Sequence, residues 1–181
     1  MIAQKRISVL VFDTNVFLTG IDFTLIPNII YTTKRVLDEI NIPKFREKNR
    51  NILNRINATI DTGKLIISSP EENFLKSVIE KSKITGDFKV LSKTDVELIA
   101  LALQLKDNLP QEVIIYTNDY SMENVCIELN LKFNTIYKDG IKSKWQFEVY
   151  CPICKTIHGP ESLSSICNRC GSKLRRRPIF K

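Results

Sequence analysis

Hydrophobic positions along this chain fall into two kinds of pattern, short unbroken runs and longer stripes at helical spacing. ISVLVF (7–12), KLIISS (64–69) and EVIIYT (112–117) are brief, apolar and rich in β-branched residues, so each reads as a buried strand. Helical segments lie between them. TTKRVLDEI (32–40) reads as a short helix, and Pro43 interrupts the pattern before an amphipathic helix over KFREKNRNILNRINATI (44–60), which Gly63 stops. Pro70 opens a helix over EENFLKSVIEKS, Thr94 begins an apolar one over DVELIALALQLK, and SMENVCIEL (121–129) reads as a further one. Alternation of strand and helix predicts an α/β fold, a mainly parallel central sheet flanked by helices. WQFEVY (145–150) then leads into a cysteine module. The expected division is a domain over 1–144 and a small module with a basic tail over 145–181.

The polar residues that interrupt these runs carry the chemistry. In an open parallel sheet, ligands sit beyond the carboxyl ends of the strands. Asp13 directly follows the first strand, and Asp119 follows EVIIYT with only Asn118 between. Asp95 lies in the first turn of a helix that starts at the same edge. On that helix Glu97 and Gln104 mark a polar stripe, and Asp95 lies roughly opposite it, pointing inward. An acid beside a Thr94 cap is also an ordinary response to the helix dipole. Glu39 flanks the apolar face Val36, Leu37 and Ile40, but periodicity does not carry it to the sheet edge. Carboxylates gathered at one edge raise one another's pKa and call for a compensating cation. Mg²⁺ or Mn²⁺ suits such oxygen ligands and would activate water against a phosphodiester.

Charge adds a partner. The net charge is +7, yet residues 1–150 hold 20 Lys or Arg against 19 Asp or Glu, and residues 151–181 hold 7 against 1. A basic tail on a nearly neutral body suggests a polyanion, most often nucleic acid. A hydrophobic fraction of 43% supports a packed core, and no apolar run approaches a membrane span. The basic residues before the first apolar run resemble the start of a signal peptide, but Asp13 stands where a cleavage site belongs, so a cytoplasmic protein is expected.

CPICKTIHGPESLSSICNRCG (151–171) holds two C-x-x-C pairs. Cys151, Cys154, Cys167 and Cys170 form the expected ligand set of a structural Zn²⁺ site, with Gly171 turning the second knuckle. His158, between the pairs, is expected as an exposed loop residue. Cys126 shares helical spacing with Met122, Val125 and Leu129 and reads as core.

VFDTNVFL, VLDEI, LSKTDVELIALAL and IIYTNDYSMENV, in this order, resemble the four acidic motifs of PIN-domain nucleases over roughly residues 6–135. With the cysteine module, the arrangement is similar to the archaeal-type ribosome-maturation endonucleases of the Nin-one-binding protein family. The resemblance implies Mg²⁺- or Mn²⁺-dependent cleavage of single-stranded RNA, with Asp13, Glu39, Asp95 and Asp119 as catalytic and metal residues. Asn15 and Asn118 would line the pocket. That family often has Asp where Asn118 stands; an amide is a poorer hard ligand, so Asp119 is expected to carry the role. The implied partners are precursor small-subunit rRNA, the pre-ribosomal small subunit and other assembly factors.

Candidate RNA contacts follow. Lys173, Arg175, Arg176 and Arg177 adjoin the zinc module and suit phosphate, the bland alternative being a frayed tail. Lys44, Arg46, Lys48, Arg50 and Arg55 form a second patch, which is otherwise the wet face of a helix. Trp145, Phe147 and Tyr150 are expected to pack against the ribbon rather than stack bases. The main expectation is an endoribonuclease maturing the 3′ end of small-subunit rRNA. Its rivals are a non-catalytic RNA-binding assembly factor and a toxin-type PIN ribonuclease.

Overall fold

The computed structural model describes residues 8–136 and 139–179. Ile7, the expected start of the first strand, lies outside the described residues. Five strands form one sheet: β1 (Val9–Phe12), β2 (Ile30–Thr32), β3 (Leu65–Ile67), β4 (Val113–Tyr116) and β5 (Lys132–Asn134). Their order is β3-β2-β1-β4-β5 and every pairing is parallel. The chain winds from β1 toward one edge and then returns to place β4 on β1's other side. The gap between β1 and β4 is therefore the topological switch point, where open parallel sheets place their ligands.

Among the described residues six α-helices connect the strands: α1 (Thr14–Leu18), α2 (Lys34–Ile40), α3 (Arg50–Asp61), α4 (Glu72–Thr85), α5 (Lys93–Asn108) and α6 (Tyr120–Glu128). All four β1 residues are buried, and Phe12, Phe17 and Phe23 pack edge to face beneath them. The core continues through Leu98, Ile99, Leu101 and Leu105 of α5 and through Val125 and Cys126 of α6. Cys126 is fully buried, as its spacing predicts, and burial pushes its thiol far above the ordinary range. Among the described residues no helix is long and apolar enough to cross a membrane.

Thr14 and Asn15 are the first residues of α1, a helical turn capped by Asp13. Several local expectations need correction. Thr32 ends a strand, so the helix expected from 32 begins at Lys34 with Thr33 as its cap. The helix expected over 44–60 is broken. Pro43–Phe45 form one 3₁₀ turn, and α3 starts only at Arg50. Residues 46–48 are all exposed and carry no apolar side chain to bury, so nothing holds them helical. The buried Asn49 instead donates to the Ile40 carbonyl at 2.9 Å, fastening the loop to the end of α2. Helix α5 is capped by Ser92, not Thr94, which is buried.

A second, antiparallel sheet of order β7-β6-β8 is built from β6 (Phe147–Tyr150), β7 (Ile157–His158) and β8 (Arg175–Pro178). His158 is thus a half-buried strand residue, paired with Val149, and not an exposed loop residue. The KLRRRP segment is likewise no frayed tail: Arg175, Arg176 and Arg177 pair in register with Tyr150, Val149 and Glu148. The Arg176 guanidinium lies 4.4 Å over the Phe147 ring and Arg177 at the same distance over Tyr150. These stacked cations bury aromatic faces that a module with so small a core could not cover otherwise.

The second sheet lies against the first unit at Gly86. This residue ends α4 at φ +81°, and a Cβ there would stand 2.4 Å from the Phe147 carbonyl oxygen. Only glycine allows both the left-handed turn and the approach of β6.

Candidate active site

Asp13 leaves β1 and becomes the N-cap of α1, its Oδ1 accepting the Thr14 N–H at 2.6 Å. Its Oδ2 accepts the Thr117 hydroxyl at 3.0 Å. Thr117 follows β4, is fully buried, and accepts the Asp119 N–H on the same hydroxyl at 3.1 Å. Asp119 in turn caps α6 through the Ser121 N–H at 2.7 Å. One threonine therefore ties the two acids that flank the switch point.

Asp95 stands at the third position of α5 in a capping box. Its Oδ2 accepts the Ser92 N–H at 2.7 Å, and its own N–H donates to Ser92 Oγ at 3.1 Å. The capping role expected as an alternative is real, and it does not compete with the site. Asp13, Asp95 and Asp119 each serve a helix N-terminus, so three helix starts converge with their acids on one edge. The fourth acid comes from α2: Glu39 Oε2 accepts the Thr14 hydroxyl at 2.6 Å, which brings it beside Asp13.

The acids feel one another. Burial pushes Asp13 up most, the Thr117 hydroxyl and Thr14 N–H pull it back, and the charges of Asp95 and Glu39 raise it again, leaving it at about 6. Asp95 is also raised, chiefly by burial, with Asp119 and Glu39 adding to it against the Ser92 hydrogen bonds. A cation would favour ionisation of all four. Among the described residues only the cysteines bring three or more ligand atoms within 4.8 Å of one another. No three of the carboxylates bring their oxygens that close together. That spacing fits a hard ion which keeps several waters and takes one or two carboxylates directly.

The remaining expected residues divide. Asn15 is exposed on α1. Asn118 Oδ1 accepts the Ile136 N–H at 3.1 Å, so it fastens the chain after β5. Glu97 and Gln104 do not form a wet stripe. Glu97 pairs with Arg35 of α2, and Gln104 accepts the Glu71 N–H. Thr14 and Thr117 were not among the expected site residues. Their signal is a hydroxyl at the mouth of an apolar strand, next to an acid, in DT and TND. Lys44, Arg46, Lys48, Arg50 and Arg55 are exposed. Arg46 and Arg50 line a groove of about 580 Å³ with Asn41, Asn54 and Asn57, beginning two residues after Glu39.

The four cysteines form a second centre. Cys151 and Cys170 sulfurs lie 3.3 Å apart and those of Cys154 and Cys167 3.6 Å apart. A tetrahedral ion with metal–sulfur bonds of about 2.3 Å needs sulfurs about 3.8 Å apart, so the set fits a closed Cys₄ site. The two knuckles repeat one geometry: the N–H of Lys155 returns to the Cys151 carbonyl, and that of Gly171 to the Cys167 carbonyl. Both residues take positive φ, +60° and +75°. The Thr156 hydroxyl draws the Cys154 thiol down to about 6, and Ser172 lowers that of Cys170, toward the thiolate a metal requires. Lys173 and Arg175 are exposed beside this centre.

A family model described as the PIN domain of ribonuclease matches residues 10–105. Endoribonuclease Nob1 of Pyrococcus abyssi is 33% identical over 171 residues, covering 93% of this chain and 93% of the relative. Endoribonuclease Nob1 of Methanocaldococcus jannaschii is 34% identical over 149 residues, 82% of this chain and 67% of the relative. Ribonuclease VapC1 of Thermoplasma acidophilum is 35% identical over 111 residues, 61% of this chain and 53% of the relative.

Proposed function

We propose that this chain, which belongs to the Nob1 family of PIN-domain endoribonucleases, hydrolyses precursor small-subunit rRNA at its 3′ end. The observation that carries the reading is the Asp13–Thr117–Asp119 bridge across the switch point, with Asp95 and Glu39 within electrostatic reach. Asp13, Glu39, Asp95 and Asp119 hold the divalent ions, Mg²⁺ or Mn²⁺. Such ions supply Lewis acidity and bring the pKa of water down toward neutrality.

The chain's own groups do the rest. Thr117 fixes which oxygen of Asp13 faces the site, and Thr14 fixes Glu39. A water adds to phosphorus in line with the departing 3′ oxygen, which takes up a proton. The products carry a 5′-phosphate and a 3′-hydroxyl. Residues 1–144 act as the nuclease domain and 145–181 as the zinc ribbon, with Zn²⁺ on the four cysteines. Arg46, Arg50 and Arg55, and on the ribbon Lys173 and Arg175, hold the phosphate backbone. The pre-ribosomal small subunit is the partner in the cytoplasm.

A cleavage assay tests this. The substrate spans the 3′ end of small-subunit rRNA and its trailer, incubated with Mn²⁺ or with EDTA. Cutting at one position, abolished by EDTA and by Asp13→Asn, is expected. Tight binding without cutting in any divalent ion would favour the assembly-factor reading. The VapC1 similarity supports a toxin-type ribonuclease as the second reading, but it spans 61% of the chain against 93% for the Pyrococcus Nob1. Cutting of many RNAs at unrelated positions would favour it.

A further inference from the structure

A cleft of about 340 Å³ separates the start of α6 from the ribbon sheet. Its walls include Tyr120, Asn124, Trp145, Phe147 and Arg176, with Asp87 at the floor. Two features set it apart from an ordinary seam between packed units.

The first is a pair of large aromatic side chains with much of their surface exposed to solvent. Tyr120 is 55% exposed and Trp145 44% exposed. Trp145, the only tryptophan of the chain, is nonetheless held firmly by its backbone. The buried Asn124 accepts its N–H at 2.7 Å and donates to its carbonyl at 2.8 Å. A seam built only for stability would turn the indole inward. Here the main chain is clamped and the ring is presented.

The second is that the side chains of Asn124, Asp87 and Arg176 in the cleft are engaged with one another. Asn124 Nδ2 also donates to Asp87 Oδ2 at 2.6 Å, and Arg176 Nη1 donates to Asp87 Oδ1 at 2.8 Å. The Arg176 guanidinium is stacked on Phe147. What remains for a ligand is flat apolar surface with few groups to read a base edge. That is the character of a stacking platform, which accepts any unpaired base by its face.

Position selects the occupant. Tyr120 is the residue after Asp119, so the platform begins where the acid cluster ends. The ribbon that forms one wall of the cleft carries a charge excess of +6 over residues 151–181, which suits the phosphates of a nucleic acid. We propose that the cleft takes one unpaired nucleobase of the RNA, adjacent to the scissile phosphate, stacked on Trp145 and Tyr120 without regard to its identity. It would thereby select single-stranded over paired RNA at the cut. The proposal deepens the nuclease reading and stands on it.

Trp145 is its own reporter. The full-length protein in Ca²⁺ is titrated with a single-stranded RNA oligonucleotide spanning the cut, and with the same RNA carrying one abasic site at successive positions. The expected result is quenching of tryptophan emission, lost when the abasic site falls at one position next to the cut and unchanged by swapping the base there. A duplex of the same sequence leaves the emission unmoved. Tyr120→Ala weakens binding of the intact RNA about tenfold and of the abasic RNA hardly at all. Binding that leaves the emission unchanged, with Tyr120→Ala neutral, overturns the proposal and assigns the aromatic face to a protein partner. Equal quenching by duplex RNA overturns it too. The same RNA is then cut in Mn²⁺. Cutting without quenching removes the platform and keeps the nuclease; quenching without cutting in any divalent ion does the reverse.

Discussion

Arg176 of the ribbon donates to the buried Asp87, the residue after Gly86 at the end of α4, across 2.8 Å. The two partners are unequal. The Asp87 side chain is 1% exposed and that of Arg176 28%, so water reaches one end of the pair only. Arg176→Ala leaves a carboxylate buried with Asn124 alone, whereas Asp87→Ala leaves a cation that can turn to solvent. Arg176→Ala is expected to cost about 3 kcal/mol and Asp87→Ala less. The double variant should cost less than the sum of the two, which a cycle of thermal or urea melts measures.

Gly86→Ala attacks the same contact from the backbone. The added methyl meets the Phe147 carbonyl, and the residue must hold φ +81°. The ribbon is expected to come away from the first sheet while the first sheet stays folded. Limited proteolysis near residue 145 should accelerate well before the main melting transition moves.

Asp13 links stability to pH. Its carboxyl sits at about 6 in the folded chain, raised from an ordinary 3.8. Ionising it therefore costs the folded state, so stability is full below about pH 4 and falls as pH rises through 6. A rise of about two units corresponds to about 3 kcal/mol. In the absence of divalent ions, Asp13→Asn should be more stable than the parent at pH 8, with the gap closing toward pH 4. The same shift makes protons compete with the catalytic ion, so Mn²⁺ affinity should drop steeply below pH 6, which calorimetry would read.

Thr117→Val keeps the shape of a buried side chain and removes the bridge. The Asp119 N–H loses its acceptor and Asp13 loses a donor. A destabilisation of about 1–2 kcal/mol is expected, with a loss of cleavage of about tenfold or more. Thr117→Ser should restore most of the activity, since it returns the hydroxyl.

Removing the Zn²⁺ proposed for the four cysteines should unfold the ribbon alone. Its buried cluster is Val149, Cys151, Cys167 and Leu174, too small to stand without the ion. A chelator, or Cys170→Ala, should expose the remaining thiols to titration and free residues 147–178 to hydrogen exchange. The amides of β1 and β4 should stay protected.

Much of this architecture could be read from the chain, and the failures share a cause. Strands long enough to show an apolar run, such as 112–117, stood out, and the acids at their ends followed from the geometry of parallel sheets. The three-residue strands Ile30–Thr32 and Lys132–Asn134 are too short to show a pattern. Asp95 was recognisable as inward-pointing, but the opposed stripe of Glu97 and Gln104 was misread as wet. Periodicity reports polarity, and a polar side chain can equally face a neighbour such as Arg35 or Glu71. Periodicity did not reach Glu39, which only the motif resemblance named, because its position depends on a tertiary hydrogen bond to Thr14. The arginines of 175–177 read as phosphate contacts, with a frayed tail as the alternative, because charge hides the strand they form. The rings under Arg176 and Arg177, Phe147 and Tyr150, lie almost thirty residues away.

The hydroxyl bridge joins residues 104 positions apart. Synthesis runs from Asp13 forward, and β4 must emerge and slot beside β1 before the second acid arrives. Long-range pairings of this kind form late, after the loop between them has been closed. A growing chain that has not yet passed β4 therefore carries Asp13, Glu39 and Asp95 without Asp119 and without the threonine that ties the two flanking acids. Topology thus makes the closure of β4 on β1 the step that completes the acid set.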